Sequence, residues 1–510
     1  MTDSEATYRA ARNELRKYNA TSIVESALIL LHQRFETPEK EVRALPWLIL
    51  SLAKLALQDR MIYEIGPSIT PGKLAALAQK IWASGGLSGD GPPQNLHRAV
   101  RSWAYVQMEF QRPDTFEFVR WPAILGGLPD GHPAKDSFEA VFGLTPNDFL
   151  DLAWAVYAAV LQGREPLTSN YFDALRPRYG NGIDVMLAAL SKDMRGLRAH
   201  LQSEPIENRS RQNFLFEAPV FRQFPLLRGS HGLHFCWHRK VFSRGMDELV
   251  HHKLSGGGEA YTKTFSDIFE DYVVELAKNT KLPSLPENQF WGFYGGDKRA
   301  VEIILRAGDI NVLVEAKFGL YQDAYMTFDN AAFSRAKLYK LRDGVAKGAD
   351  VSRRLSSTGC DSFWGTRKRD FLLLVTNRQL YIPTGHQLEL ISSEGSSQID
   401  DKVRLSTTQE LSLENIFILS LDEYERLMVA VADGTVTLDR VMESLADQAR
   451  DQKSHRMDAR QLLSVVDPLQ NISSRLTCSV EASMARIHQA FGVDYDPMVE
   501  PWRLMRQKAS

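Results

Sequence analysis

The sequence predicts a mixed α/β core set between a large, mainly α-helical N-terminal region and a helical C-terminal segment. Three observations carry this expectation. A Gly308-Asp309 turn separates two β-branched apolar runs, two continuous apolar runs of strand length follow it, and apolar residues recur at helical spacing on both sides.

Residues 1–210 read as mainly helical, as in "ESALILLHQRF" and "LTPNDFLDLAWAVYAAVLQG". In the second stretch Thr145 has N-cap chemistry, Pro146 suits the first helical position and Gly163 suits the stop. A Gly- and Pro-rich stretch, "SGGLSGDGPP", divides the region near residue 90, and no repeat of fixed period is found. Target recognition, regulation, oligomerisation and docking of a partner are the roles open to it. Residues 211–255 predict a small β-containing connector, two or three short strands followed by a helix ending at glycines. Within it "LHFCWH" alternates, placing Leu233, Phe235 and Trp237 on one face and His234, Cys236 and His238 on the other. Three soft ligands on one face invite a zinc site. An exposed polar face explains the pattern as well, and no fourth ligand is evident.

Residues 256–435 hold the core. In "YTKTFSDIFEDYVVELAKN", Phe265, Ile268, Phe269, Tyr272, Val273 and Leu276 make one apolar helical face with Glu270 on its flank. "NQFWGFYGG" is expected to be the first strand, the two runs around Gly308-Asp309 the second and third, and residues 321–348 a helix. "RDFLLLVTN" and "NIFILSL" are expected as buried strands of a sheet covered on both faces, and "LDEYERLMVAVADG" as the last helix. Residues 386–408, with "SSEGSSQIDDK", read as a mobile loop. From residue 436 to 510 the chain is helical again, and "LTCSVEASMARIHQAFGV" is a packing face rather than a catalytic one.

The hairpin carries the chemistry. Gly-Asp between apolar runs favours a two-residue loop, which pairs Ala307 with Ile310. Counting outward puts Glu302 opposite Glu315 on one face, with Lys317 on that face too. Facing carboxylates on half-buried strands are costly unless compensated. A divalent cation compensates both, and carboxylates with water and phosphate are how magnesium is usually held. The bland alternative is a cation from Lys298, Arg299 or Arg306. A metal-sized gap between the two carboxylates, open to solvent, would separate these readings.

With that order of elements and those residues, residues 256–435 resemble the PD-(D/E)xK nuclease superfamily, the restriction-endonuclease-like fold. The resemblance implies that Glu302 takes the place of the first motif acid, that Glu315 and Lys317 are the acid and lysine of the ExK element, and that Glu270 matches the helical acid of many members. No Pro-Asp precedes the ExK, and Gln322 and Tyr325 lie near the place of a later Gln/Tyr motif. Implied, then, are an Mg2+ (or Mn2+) ion held by Glu302, Glu315 and Glu270, hydrolysis of phosphodiesters with DNA favoured over RNA, and a bacterial restriction or antiviral defence setting. Many nucleases of this fold pair up, so a homodimer or a protein partner is expected. The competing class is an inactive nuclease-fold scaffold that binds nucleic acid or a partner.

A nuclease must also hold a polyanion. Residues 331–380 contain eleven Lys and Arg against four Asp, a local excess of seven positive charges. Arg335, Lys340, Arg353, Arg354, Arg367, Lys368 and Arg369 are the candidate contacts, and Phe363 and Trp364 could stack on bases. A solvated helix face explains such charge equally simply.

Composition bounds the rest. The 510 residues carry a net charge of −2 and 44% apolar residues, an ordinary globular balance. Three scattered cysteines form neither a disulfide framework nor a Cys-x-x-Cys pair, which points to the cytoplasm. No N-terminal signal is evident, and "LPWLILSLAKLAL" is too short to span a bilayer, so no membrane is expected. Walker-A, His-Glu-x-x-His and nucleophile-elbow patterns do not occur.

Overall fold

A computed structural model of the chain describes residues 3–33, 35, 37–83, 104–107, 110, 117–161, 166–203, 220–255, 258–294, 299–319, 331–357, 363–392, 404–451, 456, 459–463 and 472–492. The architecture is mixed α/β and mainly helical, with two small mixed sheets. None of the described helices is long and apolar enough to cross a membrane.

Among the N-terminal helices are α1 (Pro46–Gln58), α2 (Glu117–Gly126) and α3 (Pro146–Leu161). Thr145 caps α3 as its sequence suggests, its Oγ accepting from the Asp148 N–H at 3.1 Å. The smaller sheet joins β1 (Leu167–Thr168), β2 (Ser191–Asp193), β3 (Leu226–Arg228) and β4 (Leu233–Cys236) in the order β1-β4-β3-β2. Strands from both sides of residue 210 therefore share one sheet. The helix α4 (Arg239–Leu254) follows.

The larger sheet is built after α5 (Gly258–Asn279), in the order β5-β6-β7-β8-β9. Its strands are β5 (Ser284–Pro286), β6 (Ile303–Ala307), β7 (Ile310–Lys317), β8 (Arg369–Thr376) and β9 (Ile416–Ser420). β5, β6 and β7 are antiparallel, and β7, β8 and β9 run parallel. Ala307 pairs with Ile310 through a turn in which Gly308 has φ 56°, a value that favours glycine. Helix α6 (Glu287–Tyr294) lies between β5 and β6, and α7 (Ala331–Ser356) is the crossover between β7 and β8. Then come α8 (Gly385–Ser392), α9 (Leu421–Ala432), α10 (Leu438–Arg450) and α11 (Ser474–Ala490).

Strand alternation divides the core in two. Ile303, Leu305, Val312, Val314, Leu373 and Phe417 join α2, α3, α5, α9, α10 and α11 on one face. Ile304, Leu313, Leu372, Leu374 and Ile418 join α1, α7 and α8 on the other. α11 packs through Leu476, Val480, Met484 and Ile487, and Arg486 grips Asp151 of α3 with two bonds of 2.7 Å.

Two expectations change. "NQFWGFYGG" is not the first strand. That strand is Ser284–Pro286, closed by a proline that cannot donate to the ladder, and Glu287 then opens α6, where a negative side chain suits a helix N-terminus. Phe290 and Tyr294 stack one turn apart within it, at 4.7 Å, so aromatic β-propensity yields to helical packing. The stretch expected as a mobile loop from 386 starts as helix α8, with Leu388 and Ile391 buried on its inner face. Residues 393–403 lie outside the described residues, as does "SGGLSGDGPP".

Candidate active site

Glu315 and Lys317 stand at the carboxyl end of β7 and point to the α7 face, because their neighbours Val314 and Ala316 belong to the opposite core. The Glu302 N–H donates to the Val314 carbonyl at 3.1 Å, one step beyond the last ladder pair, Ile303 with Val314. Continuing that register sets Glu302 against Glu315.

Glu315 is 0% exposed. Lys317 Nζ lies 2.6 Å from its Oε1, and Lys347 Nζ from α7 lies 2.9 Å from the same oxygen. Oε1 takes both ammoniums at ion-pair distance without the angles of a directed hydrogen bond, and Oε2 has no hydrogen-bond partner. Lys317 also reaches Asp343 at 3.5 Å, and Asp343 meets Arg299 at 3.4 Å. α7 comes this close because Gly344 faces the strand. A Cβ there would stand 2.8 Å from Leu374 Cδ2 and 2.9 Å from Lys317 Cε.

Three more carboxyls surround this pair. Burial, then the negative charges of Glu315 and Glu270, push Glu302 up to about 8, while Lys347 pulls the other way. Burial also raises Glu270 on α5, against a hydrogen bond from Ser266 Oγ at 3.1 Å, and Asp267 and Glu315 add to the rise. Glu287, at the start of α6, is raised by burial and by Glu315 and Glu270, and its N–H donates to the Glu302 carbonyl at 3.1 Å. Burial opposes the charge of Lys347, but Glu315 overrides it and raises the ammonium. The structure thus brings Glu270, Glu302, Glu315 and Lys317 within electrostatic reach of one another. It adds Glu287 and Lys347, which sequence reasoning did not single out as site residues. Lys347 had a signal in being seven residues before Arg354 on a basic helix, but nothing in the pattern aims it at Glu315.

Among the described residues no group of three His, Cys, Asp or Glu side chains is drawn together closely enough to hold a metal ion. A metal-sized gap open to solvent, the feature that would separate a cation site from pairing with lysines or arginines, is not what surrounds Glu315. Its carboxylate is sealed beneath Lys317 and Lys347, whose side chains are 11% and 25% exposed. The compensating cations are these two lysines rather than Arg299, which pairs with Asp343, or Arg306, which bonds Asn311 at 3.1 Å; Lys298 lies outside the described residues. The donor chemistry nonetheless suits a hard cation. All the acids supply oxygen, they raise one another's affinity for positive charge, and a buried Oε2 lacks a hydrogen-bond donor.

The basic candidates scatter. Arg335 lies early in α7, its side chain outside the described residues, as are Gln322 and Tyr325. Lys340 Nζ donates to the Phe318 carbonyl at 3.2 Å, close to the site. Arg353 is exposed and pairs with Asp350 at 2.6 Å, and the Arg354 guanidinium lies 5.9 Å from the Phe290 ring centre. Arg367 is committed to the interior. It binds Asp370 at 2.6 and 2.9 Å and the carbonyls of Gly365 and Ser352. Lys368, within 3.8 Å of Glu443, and Arg369 stand at the start of β8. Register pairs Arg369 with Ile310 and Thr376 with Lys317, so seven residues, about 23 Å, separate the Arg367–Arg369 cluster from Lys317.

The zinc face does not assemble either. β4 ends at Cys236, and His238 instead caps α4, its Nδ1 accepting from the Lys240 N–H at 3.2 Å and its Nε2 lying 3.1 Å from Glu41. His234 and Cys236 are buried rather than solvated, so the exposed polar face also gives way.

Compared with known protein families, with curated proteins and with solved structures, the chain matches none.

Proposed function

We propose that this chain is a metal-dependent endonuclease on a restriction-endonuclease-like core, hydrolysing phosphodiester bonds of nucleic acid, DNA above all, in a bacterial restriction or antiviral role. One observation carries the reading: β7 delivers a wholly buried Glu315 and, two residues on, Lys317, to one end of a sheet whose hairpin sets Glu302 beside them. The sequence of helix, three antiparallel strands, crossover helix and two parallel strands supports it.

Glu302 and Glu315 would hold Mg2+ or Mn2+, with Glu270 on the flank. The ion would supply Lewis-acid polarisation of the phosphate and a water of lowered pKa. Lys317, whose ammonium lies 2.6 Å from Glu315, would be placed to orient a water or to stabilise the charge that grows on the phosphoryl oxygens. Lys347 keeps α7 against Glu315, and the surrounding apolar strands keep bulk water from the carboxylates.

A second reading, the inactive scaffold, has one specific observation in its favour: two ammoniums already neutralise Glu315. Cleavage of plasmid, single-stranded DNA and RNA by the purified chain, in magnesium and in EDTA, decides between them. Cutting that needs magnesium and falls about a hundredfold or more in Lys317→Ala supports the nuclease. Binding without cutting under every condition supports the scaffold.

A further inference from the structure

On the nuclease reading, Lys347 has a role that the motif residues do not explain. Glu315 Oε1 carries two ammoniums, Lys317 at 2.6 Å and Lys347 at 2.9 Å. Lys317 belongs to the proposed chemistry. Lys347 comes from the crossover helix α7, and its charge reaches further than Glu315: it favours the ionised forms of Glu270, Glu287 and Glu302 alike. One ammonium thus serves all four acids, the service that a hard divalent cation performs for a carboxylate cluster.

An ammonium and a divalent ion on the same carboxylates repel each other across a few ångströms, in an interior where salt screens little. One of the two lysines must give way. Lys317 is 11% exposed and has Asp343 as a second partner at 3.5 Å. Lys347 is 25% exposed, and among the described residues Glu315 is its one ion-pair partner. Its four-carbon stem can turn toward water without unseating the helix. Gly344 and Gly348 let α7 lie directly on Leu374 and Leu372, and Leu341 and Val345 are buried on it. We infer that Lys347 is a stand-in cation, which neutralises the carboxylates when no metal is bound and swings out when a divalent ion arrives, so that it sets the metal affinity of the site.

The test is lysine acylation of the full chain, read by mass spectrometry in EDTA and in Mn2+, alongside Mn2+ titration followed by the paramagnetic resonance of the free ion. Lys347 should label severalfold faster in Mn2+, and Lys317 should not. Lys347→Met keeps the stem and removes the charge, and it should bind Mn2+ about tenfold more tightly than the wild type. Lys347→Arg keeps the charge and should bind no more tightly than the wild type, which separates charge from packing. Glu302→Gln removes a ligand and identifies the binding event; Mn2+ that it leaves bound lies elsewhere and counts as none. Mn2+ binding at the site with Lys347 labelling unchanged overturns the stand-in, and so does a folded Lys347→Met chain with wild-type affinity. Magnesium-dependent cutting would leave the nuclease standing in either case. Neither metal binding at the site nor cutting overturns both. A Lys347→Met chain that does not fold leaves the labelling of the wild type to decide, since that readout needs no variant.

Discussion

Glu302→Gln is the perturbation that tests the electrostatics of the site without relying on any activity. The carboxyl is raised from an ordinary value of 4.5 to about 8, by burial first and then by Glu315 and Glu270. Between those pH values the folded chain keeps a proton that the unfolded chain has lost. The native state therefore binds more protons, and stability falls as pH rises through this window. At about 1.4 kcal/mol per pH unit, the full shift bounds the loss at about 5 kcal/mol. Partial solvent access reduces this, and about 2 kcal/mol is a realistic expectation. Glutamine has the shape of the protonated acid and cannot ionise. The variant should match the wild type at pH 4.5 and exceed it at pH 8.5, read as the difference in urea midpoints at the two values. Adding magnesium at pH 8.5 should narrow the gap, since a bound cation compensates the same charge. A difference between variant and wild type that is the same at both pH values would refute the reasoning, because it would mean that Glu302 feels neither the burial nor the neighbouring acids.

Three other outcomes are expected. Arg367→Ala should cost about 3–5 kcal/mol by denaturant titration, because it leaves Asp370, wholly buried, without its guanidinium. Arg353→Ala should leave stability within about 0.5 kcal/mol and lower only nucleic-acid affinity, with a shallower salt dependence in filter binding. Gly344→Ala inserts a methyl 2.9 Å from Lys317 Cε and 2.8 Å from Leu374 Cδ2. It should cost about 1–3 kcal/mol of stability and depress cleavage more than oligonucleotide binding, and an unchanged turnover would separate α7 from the chemistry.

Local rules carried a large part of this protein. Gly308-Asp309 has room for only one sensible hairpin, so the Ala307–Ile310 pairing, and with it the approach of Glu302 to Glu315, was legible from turn chemistry and a period of two. The same is true of β8 and β9, whose unbroken apolar runs suit only strands covered on both faces, and of the Thr145 cap of α3. α6 was not legible: aromatic residues favour strands in isolation, and its helix depends on Pro286 ending β5 and on Phe290 finding the core.

What depended on distant parts of the chain had no local signature. Eleven positive charges after the hairpin read as one patch in sequence. The parallel register of β7 with β8 sends Arg367–Arg369 to the opposite end of the sheet from Lys317, and an interior carboxylate at Asp370 consumes Arg367. Lys347 and Glu287 entered the site because a crossover helix packs on β7 at a glycine and because a short helix begins beside Glu302. The sequence by itself thus determined the hairpin, its register and the opposed acids, since turn geometry and strand alternation act within a few residues. Only the tertiary structure decided which lysines neutralise Glu315 and which arginines face solvent, because charge pairing is settled by proximity in space, and packing of helices on the sheet sets that proximity.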